Sequence, residues 1–174
     1  MSTPKSVIIV MLVAVSFLSG GCSKRPAHGV LTSSESIVIE PGASIGPVRS
    51  DMTMQQVVAE LGEPDRTNDQ TLEYLNLGLT VIPGKGGVVK VVMCVDHSGQ
   101  GGPFKKAFAG HTKEGIGIGS SRADVVRAYG EPTATKTANW MPGVEVLIYK
   151  PLGLDFRLQH SKVDLIGVIF NSPK

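Results

Sequence analysis

The chain has 174 residues, 41% of them hydrophobic and 18% charged, with a formal net charge of +2. That length supports one ordinary domain or two small ones. With no basic run longer than a pair such as Lys105-Lys106, the charge excludes the basic stripe that nucleic acid or an anionic lipid surface selects. The 21 glycines and 11 prolines predict many tight turns, and short strands rather than long helices.

Residues 7–18 form the first recognisable element, an apolar run of twelve preceded by Lys5. A membrane-spanning helix needs roughly 20 such residues, so this run has the length of a signal-peptide core. Leu18-Ser19-Gly20-Gly21-Cys22 follows it. Small residues directly ahead of a cysteine resemble the lipobox of bacterial lipoproteins, in which the thiol receives a diacylglyceryl group and the signal is cut just before it. The resemblance implies a signal peptide over 1–21, a lipidated Cys22 carrying fatty acyl chains such as palmitate, and the membrane as a partner through that lipid. Ser23 in place of an inner-membrane retention Asp implies the outer membrane, with the protein facing the periplasm. Several acyl chains at one terminus would satisfy the need for more than one hydrophobic anchor. Residues 22–42 open with the polar, punctuated Ser23-Lys24-Arg25-Pro26-Ala27-His28-Gly29 and read as a membrane tether. With Cys22 acylated, Cys94 is the remaining thiol and no intramolecular disulfide can form. Cys94 lies in a run of valines and reads as a small buried hydrophobe.

Beyond the tether the chain repeats itself. Residues 57–64 match 125–132 at five of eight positions, and 72–79 match 147–154 at five of eight. Continuing the second offset pairs Val88 with Val163 and Val91 with Ile166. Each copy opens with a capping pattern, Thr53 with Gln56 and Ser121 with Asp124, in which the hydroxyl accepts from the backbone three residues on and the longer side chain reaches back. A helix of about nine residues is expected in each, ended by Gly62 or Gly130 and kept from resuming by Pro64 or Pro132. Val57, Val58 and Leu61, like Val125, Val126 and Tyr129, share one face at helical spacing. Period-two patterning then predicts strands through Leu77, Leu79 and Val81 and through Leu152, Leu154 and Phe156. Return strands follow over 88–95 and 163–170, with Tyr74 and Tyr149 on the strand before each hairpin. The fold class is therefore α+β: two tandem repeats, module 1 over 43–96 and module 2 over 113–174, joined by a linker over 97–112. Each module is a short helix on a roughly three-stranded antiparallel sheet. A unit of that size is marginal alone, so the copies are expected to share a core or a sheet.

The succession of a Thr or Ser cap, an amphipathic helix, Gly62-Glu63-Pro64 or Gly130-Glu131-Pro132, Tyr74 or Tyr149, and a β-meander resembles the SmpA/OmlA family of small outer-membrane lipoproteins. It is also similar to the repeats of the β-lactamase inhibitor protein. The resemblance covers most of residues 43–171. It implies accessory work in β-barrel assembly in the first case, and in the second a concave tandem sheet that grips an enzyme.

No catalytic signature accompanies these features, so the chain is expected not to be an enzyme and to hold neither cofactor nor metal. His28, His97, His111 and His160 fall in the tether, the linker or a turn, and none has a second ligand at helical spacing. Gly115-Ile116-Gly117-Ile118-Gly119 does not follow a strand of a βαβ unit and reads as the turn leading into module 2. Glu63 and Glu131 lie in turns before proline and read as solvated. The inserted loop of the second copy carries Trp140, the chain's only tryptophan, beside Met141. That pair has the composition of an interface anchor, or of a cap folded onto its own sheet. Trp140, Met141, Tyr74 and Tyr149 are the candidate binding residues. Together these readings describe a lipid-anchored, non-catalytic module that binds or scaffolds an envelope protein. The alternatives are an inhibitor acting through the concave tandem sheet and an accessory factor in outer-membrane protein assembly.

Overall fold

The computed structural model describes residues 37–96, 103–137 and 143–170. Both helices form where the capping patterns predict. In α1 (Met54–Leu61) the Gln56 N–H donates to Thr53 Oγ1 at 3.3 Å and the Thr53 N–H donates to Gln56 Oε1 at 2.8 Å. In α2 (Arg122–Tyr129) the Asp124 N–H donates to Ser121 Oγ at 3.2 Å and the Ser121 N–H donates to Asp124 Oδ2 at 3.0 Å. Such a cap contributes about 1 kcal/mol by satisfying donors that the first turn leaves free. Gly62 and Gly130 end the helices at φ +84° and +74°, conformations that a side chain resists.

Among the described residues, twelve strands accompany them. In chain order these are β1 (Val38–Glu40), β2 (Ser44–Ile45), β3 (Val48–Arg49), β4 (Arg66–Asn68), β5 (Thr71–Tyr74) and β6 (Leu79–Pro83). They continue with β7 (Val89–Val95), β8 (His111–Thr112), β9 (Ala134–Thr137), β10 (Val144–Tyr149), β11 (Leu154–Gln159) and β12 (Lys162–Ile169). Eight of them make one antiparallel sheet in the order β4-β5-β6-β7-β12-β11-β10-β9. The other four make a small sheet, β3-β2-β1-β8, in which β1 and β8 run parallel. The fold is α+β, with two helices and a large antiparallel sheet.

The middle of the large sheet is the pairing of β7 with β12, where Cys94 opposes Ile166 and Val92 opposes Val168. From there a row of buried side chains runs outward in both directions. Leu79 and Tyr74 continue from Cys94, and Phe156 and Leu147 continue from Ile166. Val57 and Leu61 of α1, Val125 of α2, and Ile39, Ile45 and Val48 of the small sheet join the same core cluster. Helices and small sheet thus form one layer over one face of the large sheet, the two-layer arrangement that buries an amphipathic sheet.

Four details differ from the sequence expectation. Each helix is followed by four strands of the large sheet rather than three, because the exposed β4 and β9 also pair into it. The tether expected to reach residue 42 is already folded at Ile37 and Ile39, which are buried. The linker expected over 97–112 ends in structure, with Phe108 and Thr112 buried and His111–Thr112 forming β8. The match of Val91 with Ile166 is not kept. Val91 lies opposite Ile82 and Ile169, whereas Ile166 lies opposite Cys94 and Phe156 on the other face. Register shifts at Ile82/Pro83 and Arg157/Leu158 move the two return strands differently, and one residue of slip exchanges the faces.

Candidate protein-binding face

Directly opposed residues of antiparallel strands share a face, and their chain neighbours point to the other. The register therefore defines the side of the large sheet that the helices do not cover. One row runs Glu73, Thr80, Met93, Gly167, Asp155, Ile148 and Ala134. A second runs Val95, Leu165, Arg157, Val146 and Lys136, and a third Ile82, Val91 and Ile169. Ile82, Val91, Met93, Val146, Ile148, Leu165 and Ile169 are all half-buried, and none belongs to the core cluster. An antiparallel sheet covered on one side ordinarily turns polar residues to water on the other. Here the side away from the helices carries half-buried apolar residues along β7 and β12, while Thr80, Val95 and Gly167 of the same rows are buried.

One ion pair spans this face. Arg157 donates two hydrogen bonds to Asp164, from Nε and Nη2, each at 2.9 Å. Arg66 stands opposite Glu73. Asp155 differs: its Oδ1 is buried and accepts no hydrogen bond. Burial raises its carboxyl pKa above the usual range, an effect that the charge of Lys136 partly offsets.

The candidate binding residues fall in different places. Tyr74 and Tyr149 are core side chains, each 3% exposed, and neither presents its ring to a partner. The Tyr74 hydroxyl donates to the Gly62 carbonyl at 3.1 Å, and that of Tyr149 to the Gly130 carbonyl at 2.9 Å. Each ties a helix end to the sheet beneath it, a geometric role that satisfies a terminal carbonyl. Trp140, Met141 and Cys22 lie outside the described residues. Cys94 is fully buried at the β7–β12 pairing, and burial pushes its thiol pKa up, the setting of a structural cysteine. Glu63 and Glu131 are exposed.

Burial pushes the Tyr74 hydroxyl up to about 12, with the charge of Glu63 adding to it. Tyr149 is raised by burial and by Glu131. Because the folded value exceeds the unfolded value of about 10, folding favours the neutral phenol. That contribution is complete below pH 10 and is lost as pH climbs toward 12. Urea unfolding across this range should show wild type losing more stability than Tyr74→Phe, which has no phenol to ionise. Parallel losses would contradict the assignment.

Two open clefts flank the helices. One of about 580 Å³ beside α1 is lined by Thr53, Met54, Gln55, Val58, Gln70, Leu72, Gly86 and Gly87, with no ionisable side chain. The other, about 410 Å³ beside α2, contains Glu114, Asp124 and Arg127. Asp124 is held in the helix cap and by Arg127, and Glu114 accepts from the Tyr129 hydroxyl at 2.6 Å, which lowers its pKa. These charges serve the helix.

The open face was not singled out from the sequence, although a signal for it was present. In β7 and β12 apolar residues occupy both alternating positions, as in a strand covered on two sides. Asp155 showed nothing in the sequence, since its isolation depends on which residues stand across from it.

No family model matches the chain. No curated protein matches it. Among solved structures, the crystal structure of a DUF4309 family protein (YjgB) from Bacillus subtilis subsp. subtilis str. 168 is similar. The likeness covers 73% of this chain and 84% of that one, at 14% identity and a TM-score of 0.51. At that identity it concerns the fold alone.

Proposed function

We propose that the chain is a non-catalytic envelope lipoprotein that binds another envelope protein through the open face of its large sheet. The observation that carries this reading is the apolar surface of Ile82, Val91, Met93, Val146, Ile148, Leu165 and Ile169 on the uncovered side. Contiguous apolar surface of this kind marks interaction sites. The lipid anchor on Cys22, outer-membrane residence and a periplasm-facing orientation form part of the same reading, supported by the short apolar leader and the small residues before the cysteine.

The reading also takes the chain as a duplicated module of the SmpA/OmlA type. Three observations support duplication. The two capping boxes recur, the tyrosine hydroxyls reach the same helix-ending carbonyl, and the strand order runs outward from β7–β12 in mirrored sequence.

The test places a photo-crosslinking residue at Met93 or, as a control, at the exposed Ala123 of α2, in cells that express the full chain. One discrete adduct with an envelope protein is expected from Met93 and none from Ala123. Leu165→Asp should abolish the adduct while thermal unfolding stays unchanged, and Cys22→Ser should release the protein from membranes. Equal labelling from both positions, or an adduct indifferent to Leu165→Asp, would overturn the binding reading; continued membrane retention of Cys22→Ser would overturn the anchor.

A further inference from the structure

Asp155 lies on β11 on the same face, opposite Gly167 of β12 on one side and Ile148 of β10 on the other. Its Oδ1 is buried without a hydrogen bond, and no ion pair compensates it: Arg157 is committed to Asp164, and Lys136 influences it only at longer range. A buried acceptor left unmet is costly, more so when charged, and native structures rarely keep one without a use.

Gly167 adds a second observation. Its φ is not in the left-handed region, and a Cβ built there would meet only the Asp155 Cβ at 3.6 Å and the Asp155 carbonyl oxygen at 3.8 Å. Neither backbone conformation nor crowding demands glycine at this strand position, where glycine weakens a sheet. The missing side chain leaves a notch in the row between Met93 and Asp155.

We propose that the open face receives its protein partner through one lysine or arginine side chain, laid over the Gly167 notch and paired with the Asp155 carboxylate. The proposal rests on the reading of this face as the binding surface. Lysine and arginine have apolar stems that suit contact with Met93 and Ile148, and a cationic head that complements the half-buried Asp155 carboxylate. A second copy of this chain is the poorer occupant. A two-fold contact between open faces would bring the two unpaired Asp155 carboxylates toward each other, and like charges across an interface are penalised. A metal ion has no ligand set, because no group of three His, Cys, Asp or Glu residues comes together among the described residues.

The test uses the full chain with the photo-crosslinking residue at Met93. Asp155→Asn should cut the yield of the envelope-protein adduct about tenfold or more, and Asp155→Glu should restore part of it. Gly167→Val should cut the yield as well, by filling the notch. Both Asp155→Asn and Gly167→Val should keep or raise the melting temperature, which separates lost binding from lost folding. Mapping of the crosslinked peptide should place a lysine or arginine of the partner within a few residues of the adduct. Replacing that residue by glutamine should cost no more in the Asp155→Asn background than Asp155→Asn costs alone. An adduct that Asp155→Asn leaves intact, a partner segment without a basic residue, or an adduct with a second copy of this chain would each overturn the cationic-side-chain proposal while leaving the face itself in use. No adduct from the wild-type chain would overturn the face and this proposal together.

Discussion

Phe156→Ala is expected to destabilise the protein by about 3–5 kcal/mol, the range for deleting a fully buried phenylalanine. Phe156 is 0% exposed and stands opposite Leu147 and Ile166 in the sheet. Its ring lies 5.6 Å from that of Tyr129 and 5.9 Å from that of Tyr149, the latter edge-on. The three rings link the last turn of α2 to β10 and β11, so truncation removes packing from a helix and two strands at once. Aromatic pairs of this geometry add about 0.5–1.5 kcal/mol beyond the area they bury. The transition should fall by roughly 10–15 °C, taking a few degrees per kcal/mol for a chain of this size. Phe156→Leu should recover much of the loss. A melting temperature within a few degrees of wild type for Phe156→Ala would show that the α2 layer is not seated on these strands.

The second large effect is expected at Gly153, through the backbone instead of a lost side chain. Gly153 has φ +63°, and a Cβ there would come within 2.3 Å of the Ile169 carbonyl oxygen. That oxygen belongs to main chain and is held, because the Ile169 N–H donates to the Gly153 carbonyl at 2.8 Å. Gly153→Ala must therefore carry both the left-handed penalty of about 1–2 kcal/mol and the strain of overpacking, about 1–3 kcal/mol. Guanidinium unfolding should show a loss of roughly 2–5 kcal/mol with an unchanged slope. Gly86→Ala is the informative comparison. Its φ of +76° and ψ of +11° lie in the same left-handed region as Gly153, but nothing lies within 4 Å of the added Cβ, so it should suffer only the conformational part. Equal effects at the two positions would rule out the close approach as the cause.

Local chemistry was the legible part of this fold. The caps at Thr53 and Ser121, the glycines that end both helices, and the strand positions of Tyr74 and Tyr149 depend on residues a few places apart, and all occur where the spacing puts them. What depends on distant partners was not legible. Strands β4 and β9 read Arg66-Thr67-Asn68 and Ala134-Thr135-Lys136-Thr137, with no apolar alternation to announce them. The parallel partner of β1 lies some seventy residues away at His111 and Thr112, and nothing near Val38 points to it. The register of the return strands turned on two irregularities, at Ile82/Pro83 and Arg157/Leu158, that no period reveals. The site divides the same way. Aromatic residues attracted notice by type, yet Tyr74 and Tyr149 went to the core, while the open face emerges only when strands from both ends of the chain lie side by side.

The pairing of β7 with β12 has a consequence for the chain's solubility. The outermost strands of the large sheet, β4 and β9, are short, exposed and polar, and such edges do not recruit further strands. The innermost two are the opposite, seven and eight residues long and mostly apolar. Each conceals the other's unpaired backbone. A polypeptide ending near residue 96 would present β7 as a long adhesive border to any neighbouring molecule, and the remainder alone would present β12. The two stickiest borders of the sheet are spent on each other, and a proteolytic cut that parted them would leave two pieces prone to assemble.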